Sequence, residues 1–480
     1  GLCEVVKRHA TGTPTLVVGC DARHGSSEFA TAACRVASAA GVRVLALPQA
    51  NPTPLTSFSM LHFDADAGVM VTASHNPAPD NGYKVYLGGT VAQGDGRGVQ
   101  IVPPFDAEIA AAIEAAPPAD EVPMNDDLIE AVDPREEYVA CACALASGEA
   151  SAREDLRIVL TAMHGVGAAI TSRVLAEAGF TNVSLVAAQA DPDPNFPTVP
   201  FPNPEEAGAL DMAIEQAREQ GADLIIAVDP DADRCALAVP DPASETGWSP
   251  LSGDQIGSLL GEFLAARGIT GSLANSIVSS RLLSRIARAH GLEHHTTLTG
   301  FKWIARAPGL GFGYEEAIGF CPDPAHVRDK DGIATSVVAA SLVAALKAQG
   351  RSVWDELERL ARLHGLHVSS PLTFRVEEIE QIASGMARLR AQPPSVLAGS
   401  PVVEVSDLSQ GYRGLPPTDG VLVLTEAGDR VIARPSGTEP KLKCYLEVIL
   451  PVAEGEPLPW GQARERLDAI RGAFAEIIGL

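Results

Sequence analysis

The feature that most constrains the fold is an alternation of short β-branched runs with alanine-rich helical stretches, which extends from residue 14 to about residue 240. Strand-like runs at Thr15–Gly19 and Val42–Leu47 flank a helical stretch from Phe29 to Ala40. This rhythm is typical of βαβ units, and it predicts a parallel or mixed sheet covered by helices on both faces. A second set begins at Arg157. We therefore expect two α/β domains that divide near residue 150.

The pattern changes in the last quarter of the chain. A third α/β alternation follows a stretch rich in Pro, Ser and Gly from Pro240 to Ser252. Beyond Pro371, strand-like runs, a turn at residues 426–429 and a final helix over 461–478 predict an antiparallel sheet with a helix packed on it. The predicted fold class is therefore α/β, with three α/β mixed-sheet domains and a C-terminal α+β domain. The predicted domain boundaries are 1–150, 151–252, 253–370 and 371–480.

Composition and charge exclude several classes of protein. Of the 480 residues, 46% are hydrophobic and 20% are charged, which is too apolar for a disordered chain. The formal net charge of −25 opposes nucleic-acid phosphates and anionic membranes, because approach costs repulsion instead of releasing counterions. The eight cysteines are scattered without metal-binding spacing, which indicates a reducing compartment. We expect a cytoplasmic monomer or homodimer without nucleic-acid or membrane partners.

The first motif that could carry chemistry is Val71-Thr72-Ala73-Ser74-His75-Asn76-Pro77, directly after an apolar strand. Loops at the carboxyl ends of strands are where α/β sheets usually hold ligands. Ser74 has an adjacent His75 but no GxSxG elbow, which favours a phosphoryl acceptor over an acyl-transfer nucleophile. The alternative is an ordinary Ser/Asn/Pro turn. Lys84 is a candidate acid or base, although an isolated lysine is normally a solvated surface residue.

The second motif is Asp229-Pro230-Asp231-Ala232-Asp233-Arg234, which also follows an apolar strand. Three carboxylates at alternate positions of a tight loop can converge on one hard cation, and ligation by oxygen alone indicates Mg²⁺ rather than zinc. Arg234 would offset part of the excess negative charge. The alternative is an acidic, solvated turn.

The third motif is Gly313-Tyr314-Glu315-Glu316-Ala317-Ile318-Gly319, interpreted as a glycine-rich loop after a weak strand. Its paired acids could accept hydrogen bonds from vicinal sugar hydroxyls, where a charged acceptor contributes roughly 1.5–3 kcal/mol. An ordinary loop is the alternative.

The fourth motif is Arg434-Pro435-Ser436-Gly437-Thr438-Glu439-Pro440-Lys441, after a strand of the last domain. An arginine, two hydroxyls, a glycine and a lysine form a candidate phosphate-binding loop.

Together, in this order and with one in each domain, the four motifs resemble the phosphoserine, metal, sugar and phosphate loops of the α-D-phosphohexomutase family. The resemblance covers nearly the whole chain. Further strings resemble the branch that contains bacterial phosphoglucomutases, phosphomannomutases and phosphopentomutases: Asn81–Tyr86, Met163–Gly167, Leu298–Ile304 and Gly313–Gly319. The family's N-terminal Arg-Gly loop is not recognisable before Ala22, so we expect part of that segment to be missing from this chain.

The resemblance implies four domains around a central cleft, one Mg²⁺ per chain, and a sugar bisphosphate as intermediate and activator. Ser74 would be the phosphoserine and, with Asp229, Asp231 and Asp233, a metal ligand. His75 would stand beside the nucleophile and Lys84 would be an acid/base group. Some relatives have a histidine base where this chain has Gly319, and Lys330 is the expected substitute. The residues expected to bind substrate are Arg23, Arg234, Gly300, Lys302, Glu315, Ala317, Arg434, Ser436, Gly437, Thr438 and Lys443.

The implied function is a mutase that interconverts the 1-phosphate and 6-phosphate of glucose or mannose, with a phosphosugar as its small-molecule partner. The alternatives are a phosphopentomutase for ribose or deoxyribose phosphates, a phosphatase, and a phosphosugar-binding protein without turnover. Relatives with strict hexose preference usually have a serine at the position of Ala317, so relaxed selectivity is expected.

Overall fold

The computed structural model describes residues 1–376, 378–436 and 440–479. The chain forms two compact units. The N-terminal unit comprises Gly1–Ala274 and Gly300–Val353, and the C-terminal unit comprises Asn275–Thr299 and Trp354–Leu480.

The first part of the N-terminal unit is built on a six-stranded mixed sheet. Its elements are α1 (Leu2–His9), β1 (Thr15–Cys20), α2 (Ser26–Ala39), β2 (Arg43–Ala46), α3 (Thr53–His62), β3 (Ala67–Val71), β4 (Tyr83–Leu87), β5 (Val99–Gln100), α4 (Phe105–Glu114), β6 (Ile129–Ala131) and α5 (Arg135–Cys143). The strand order is β5-β4-β3-β1-β2-β6, with β4 antiparallel to both of its neighbours. All five residues of β3 are buried, as expected of a strand covered on both faces. The register pairs Cys20 with Val71, so the loops after β1 and β3 begin at the same edge.

A second, five-stranded mixed sheet follows. Its elements are α6 (Ala150–Asp155), β7 (Arg157–Thr161), α7 (Gly167–Glu177), β8 (Asn182–Leu185), α8 (Asp211–Gln220), β9 (Leu224–Val228), β10 (Cys235–Pro240) and β11 (Trp248–Pro250). The strand order is β11-β10-β9-β7-β8. The sequence indicated that α8 would begin at Glu205, but it begins at Asp211 because Gly208 has a φ of +82°, outside the helical region.

The third part of the sequence contributes elements to both units. They are α9 (Gly253–Ala266), β12 (Ser272–Ser276), α10 (Leu282–Ala289), β13 (His294–Thr297), α11 (Phe301–Ile304), β14 (Leu310–Glu315), β15 (Gly319–Cys321) and α12 (Gly332–Ala348). The segment predicted as a loop over Gly313–Gly319 is mostly a hairpin, with Glu315 paired to Gly319. The strands extend further than expected because Tyr314 is fully buried, where its hydroxyl donates to Asp254.

The C-terminal unit contains a six-stranded antiparallel sheet, and its strands lie in the order β16-β21-β20-β19-β18-β17. After α13 (Val353–His364) they are β16 (Leu366–Arg375), α14 (Ile379–Ala391), β17 (Val396–Leu397), β18 (Ser400–Asp407), β19 (Val421–Thr425), β20 (Arg430–Pro435), β21 (Lys441–Leu450) and α15 (Trp460–Ile478). Helices α14 and α15 share its apolar core. This sheet and the mixed sheets of the N-terminal unit confirm the predicted fold class.

A buried ion-pair cluster attaches the segment Asn275–Thr299 to this sheet. Glu447 accepts from Nε of Arg281 at 2.6 Å and lies opposite Arg430 in the register of β20 and β21. The Arg430 guanidinium donates to the carbonyl oxygens of Ile277 and Ser279. The segment is therefore held by backbone as well as side-chain contacts.

Within the described ranges, no single helix has the length and apolarity needed to cross a bilayer. One bent pair, Gly332–Ala348 with Val353–His364, passes by length and composition alone.

Candidate active site

Ser74 lies in the loop after β3 with a φ of +52°, in the left-handed region that costs a non-glycine residue about 1–2 kcal/mol. The Thr72 hydroxyl accepts from the Ser74 amide at 2.8 Å and so supports this turn. The Ser74 hydroxyl donates to Oδ2 of Asp229 at 2.9 Å. Nδ1 of His75 is 3.3 Å from the same hydroxyl, and burial together with Arg234 lowers the pKa of His75 to about 3. His75 is therefore neutral near pH 7.

Arg23, expected to bind substrate, is buried under the same loop. Its guanidinium group donates at 2.6–3.2 Å to backbone carbonyl oxygens of the loop, those of Ser74, Asn76, Pro77 and Asp80. The ring of Phe196 lies 5.0 Å from the guanidinium carbon. Four donated hydrogen bonds to one loop make Arg23 a support for the position of Ser74.

Asp229, Asp231 and Asp233 form a fully buried cluster at the end of β9. One oxygen from each lies within 4.8 Å of the others. Burial and the two neighbouring carboxylates raise the pKa of Asp229 well above its usual range. Oδ1 of Asp231 and Oδ1 of Asp233 are buried without a hydrogen-bond partner among the described residues. Such oxygens fit a hard divalent cation such as Mg²⁺, which would relieve the repulsion and ligate these two oxygens.

Lys84 extends from β4 into this cluster, so it is not the solvated surface lysine of the alternative interpretation. Its Nζ donates to Oδ2 of Asp231 at 2.6 Å and also to Oδ2 of Asp233. Burial alone would lower the pKa of Lys84, but the two aspartates outweigh it and raise the pKa above the usual value. Lys84 is therefore an ammonium ion in this arrangement.

Lys330 approaches the same cluster from the loop before α12. Its Nζ is 3.1 Å from Oδ2 of Asp233 and 3.2 Å from Oδ1 of Asp329. Burial opposes the charge, but Asp233 and Asp329 raise the pKa of Lys330 above its usual value. The structure thus brings the two lysines predicted for proton transfer to one carboxylate.

The loop after β9 is attached to the hairpin of β14 and β15. The Arg234 amide donates to Oδ1 of Asp229 at 2.9 Å, and its Nη1 donates to the carbonyl oxygen of Ala317 at 2.8 Å. Glu315 raises the pKa of Arg234 against the effect of burial. Arg234, Glu315 and Ala317 therefore adjoin the aspartate cluster.

Two other predicted site residues, Gly300 and Lys302, lie at α11. Gly300 precedes α11, which carries Lys302. The centroid of the Phe301 ring in this helix is 5.4 Å from Nζ of Lys330.

The fourth motif lies in the C-terminal unit. Arg434 and Lys443 face each other across β20 and β21, and Ser436 donates its amide to the carbonyl oxygen of Lys441. Gly437 and Thr438 are outside the described residues.

Thr53 is a site residue that the sequence reasoning missed. Its hydroxyl donates to Oδ2 of Asp231 at 2.5 Å, and its amide donates to the carbonyl oxygen of the same residue. Thr53 is the first residue of α3, at the end of the loop that follows β2, so its place after a strand's carboxyl end was the available signal.

Four family profiles match the chain, and together they span most of it. They describe phosphoglucomutase/phosphomannomutase α/β/α domains I, II and III, at residues 1–119, 136–243 and 252–363, and the C-terminal domain of that family, at residues 374–455.

Individual proteins give the same result. The chain is 44% identical to a "Probable phosphomannomutase" of Haemophilus influenzae, over 93% of this chain and 90% of the relative. It is 34% identical to a phosphoglucomutase of Staphylococcus haemolyticus, over 91% and 83%. Among solved structures, a "putative phosphomannomutase" from Thermus thermophilus matches with a TM-score of 0.73 and 26% identity, over 98% of this chain and 93% of that one.

Proposed function

This chain belongs to the phosphoglucomutase/phosphomannomutase family and is an isomerase of phosphosugars, and on that premise we propose that it interconverts the 1-phosphate and 6-phosphate of glucose or mannose through phosphorylated Ser74. The observation that carries the proposal is the position of Ser74, whose hydroxyl lies 2.9 Å from a fully buried aspartate cluster. An ordinary surface turn would not be expected to place its serine beside three buried carboxylates. Burying carboxylates is costly unless they are paired with a positive charge or ligate a metal ion.

Asp229, Asp231 and Asp233, together with the oxygen of Ser74 or its phosphate, would hold one Mg²⁺. When bound, this ion offsets the charge of the carboxylates and polarises the phosphoryl oxygens. Thr53 and Arg234 hold the loop in place through hydrogen bonds to Asp231 and Asp229.

In the first half-reaction, a free hydroxyl of the phosphosugar attacks the phosphorus atom on Ser74. A new P–O bond forms to the sugar oxygen, the P–O bond to Ser74 breaks, and a bisphosphorylated sugar results. The attacking hydroxyl loses a proton and the serine oxygen gains one. The second half-reaction returns the other phosphoryl group to Ser74.

Lys84 and Lys330 are proposed as the groups that exchange these protons. A group that donates a proton in the forward direction of a step must accept it in the reverse direction, because both directions share one transition state. For the exchange to balance, one lysine donates a proton to the serine oxygen as an ammonium ion, while the other would accept the proton of the attacking hydroxyl as a neutral amine, after it has given up its own proton. The nearby carboxylates favour the ammonium form of both lysines. That form suits the proton donor and counters the charge on the transferring phosphoryl group.

Recognition of the substrate is assigned to two places. Glu315 and Ala317 of the hairpin would meet the sugar, close to Arg234. In the C-terminal unit, Arg434, Ser436 and Lys443 are proposed to bind phosphate, since an arginine and a lysine on facing strands offer a concentrated positive charge.

The test is to measure the intact mass of the protein before and after exposure to glucose 1,6-bisphosphate, with peptide mapping of the modified residue. We expect one added phosphoryl group at Ser74, none in Ser74→Ala, and loss of turnover of glucose 1-phosphate in that variant. Turnover by a wild type that never carries phosphate on Ser74 would overturn the assignment.

A further inference from the structure

Strand β4 presents two side chains to the active site, and the mechanism above uses one of them. Side chains two residues apart on a strand point to the same face, so Tyr86 stands beside Lys84. Tyr86 is fully buried, and its hydroxyl donates to Oδ2 of Asp329 at 2.7 Å. Asp329 immediately precedes Lys330.

A second donor reaches the same oxygen. The register of β4 and β5 places Gln100 directly opposite Tyr86, and Nε2 of Gln100 donates to Oδ2 of Asp329 at 2.7 Å. The other oxygen, Oδ1, faces Lys330: it accepts from the Lys330 amide at 2.8 Å and from Nζ at 3.2 Å. One oxygen of the Asp329 carboxylate therefore binds the first sheet, and the other binds Lys330.

The charge states of these groups suit this arrangement. Burial, followed by the neighbouring Asp329, raises the pKa of Tyr86 well above its usual value, so its hydroxyl keeps the proton that it donates. Although burial opposes ionisation, Lys330, Lys84 and the donated hydrogen bonds lower the pKa of Asp329. Removing the donor Tyr86 or Gln100 would leave an oxygen of the buried Asp329 carboxylate with one hydrogen bond fewer, which costs free energy. We expect the carboxylate then to shift towards other hydrogen-bond donors.

We propose that Tyr86 and Gln100 are positioning residues, which hold the Asp329 carboxylate against Lys330 and thereby fix the Lys330 ammonium beside Asp233. The inference rests on the proposed function, because it takes Lys330 as a proton-transfer group. It extends that function by connecting the first sheet, through Asp329, to the proposed proton-transfer group Lys330.

The chain supplies a matched control on the other side of Lys330. Asp331 also accepts a hydrogen bond from a buried tyrosine, with the Tyr138 hydroxyl at 2.9 Å. Its carboxylate caps α12, where it accepts from the Ala334 amide. Tyr138→Phe therefore removes a buried Tyr–Asp hydrogen bond of the same kind without removing a donor to Asp329.

The test compares Tyr86→Phe, Gln100→Leu and Tyr138→Phe, each in the wild type and in Lys330→Met, by kcat and KM for glucose 1-phosphate. Loss of an outer partner of a catalytic group typically costs about 10- to 100-fold. We expect a loss of this size in kcat for Tyr86→Phe and Gln100→Leu, with little change in KM. We expect that loss to disappear in the Lys330→Met background, since residues that act as one unit are not additive.

Two kinetic outcomes would overturn the proposal: a full loss from Tyr86→Phe in the Lys330→Met background, or an equal loss of kcat in Tyr138→Phe. Gln100 is only half-buried, so Gln100→Leu keeps the test decisive if Tyr86→Phe does not fold.

A second readout does not depend on turnover. The rate at which an amine-reactive ester acylates Lys330, followed by peptide mass spectrometry, should rise in Tyr86→Phe and Gln100→Leu but not in Tyr138→Phe. If the wild type turns over no phosphosugar, the proposed function fails, and this labelling decides the positioning role alone. Unchanged labelling of Lys330 in both variants would overturn it.

Discussion

Lys330 fills the space that a side chain at Gly319 would need: a Cβ atom on Gly319 would overlap Cδ of Lys330 and lie 3.0 Å from Cγ of Glu315. Contacts this short require one of the groups to move. Because the neighbour is the stem of a lysine whose amine reaches Asp233, an added carbon would force that stem to shift, and we expect the position of the amine to change with it. The absence of a side chain at position 319 is therefore a condition for the observed place of Lys330.

Gly319→Ala should lower kcat by about tenfold or more with a smaller effect on KM, since a displacement of about 1 Å near the chemistry costs this much. Gly472→Ala is the control, because a Cβ atom there meets nothing within 4 Å. Steady-state kinetics on glucose 1-phosphate decide the matter. A kcat equal to that of the wild type in Gly319→Ala would show that turnover does not require Lys330 at its observed position.

Asp231→Asn should weaken Mg²⁺ binding at least 10- to 100-fold, because it removes one of the three proposed anionic ligands and a partner of Lys84. Titration calorimetry with Mg²⁺ measures this directly, and activity should disappear with chelator and return with added Mg²⁺. Asp127→Asn, on the surface, serves as the control. Full activity in excess chelator would exclude a role for the metal.

Glu447→Gln should destabilise the protein at pH 7 by about 3–5 kcal/mol, since it breaks a buried ion pair from one side. Although burial raises it, Arg430 and the other partners lower the pKa of Glu447 well below its usual 4.5, so the ion pair stabilises above that pH. This stabilisation declines as the pH falls below 4.5 towards the folded-state pKa. Urea unfolding should therefore show a smaller difference from wild type at the acid end, and Glu426→Gln, in an exposed turn, should show none.

Arg434→Ala should raise KM more than it lowers kcat, because a phosphate contact made equally in ground and transition states contributes to binding alone. Kinetics over a wide range of substrate concentration separate the two constants. A fall in kcat by orders of magnitude at unchanged KM would place Arg434 in the chemistry instead.

Ala317→Ser adds a hydroxyl to the loop of the hairpin, beside the backbone that Arg234 holds. One hydrogen bond to a sugar contributes roughly 0.5–1.5 kcal/mol, or up to about tenfold in discrimination. We expect the wild type to convert glucose 1-phosphate, to accept mannose 1-phosphate less well, and to act measurably on ribose or deoxyribose 1-phosphate. The variant should shift the ratio of kcat/KM towards hexoses. Inert pentose phosphates and an unchanged ratio would refute the role of Ala317.

The residues that sequence analysis located best are those whose neighbours are close in the chain. Asp229, Asp231 and Asp233 share one loop after one buried strand, so spacing alone predicts that their oxygens converge. Ser74 is a candidate nucleophile on the same ground, because it also follows a buried strand.

Contacts between distant segments could not be predicted in this way. Tyr86 and Asp329 are 243 residues apart, and their pairing depends on how β4 and the loop before α12 pack. The hairpin of β14 and β15 was predicted as a loop for a similar reason. Burial of Tyr314, a tertiary effect, outweighs the turn preference of the glycines at the two ends of the segment Gly313–Gly319.

The attachment of Asn275–Thr299 to the C-terminal unit has a consequence for recombination among related genes. The chain passes between the two units three times, after Ala274, Thr299 and Val353. A single crossover near residue 354 would combine Arg430 and Glu447 of one parent with the Ile277–Arg281 backbone of the other. Functional chimeras should therefore inherit Asn275–Thr299 and the segment from Trp354 onward from the same parent. The unit that must be exchanged is discontinuous in the gene, although it is compact in the folded protein.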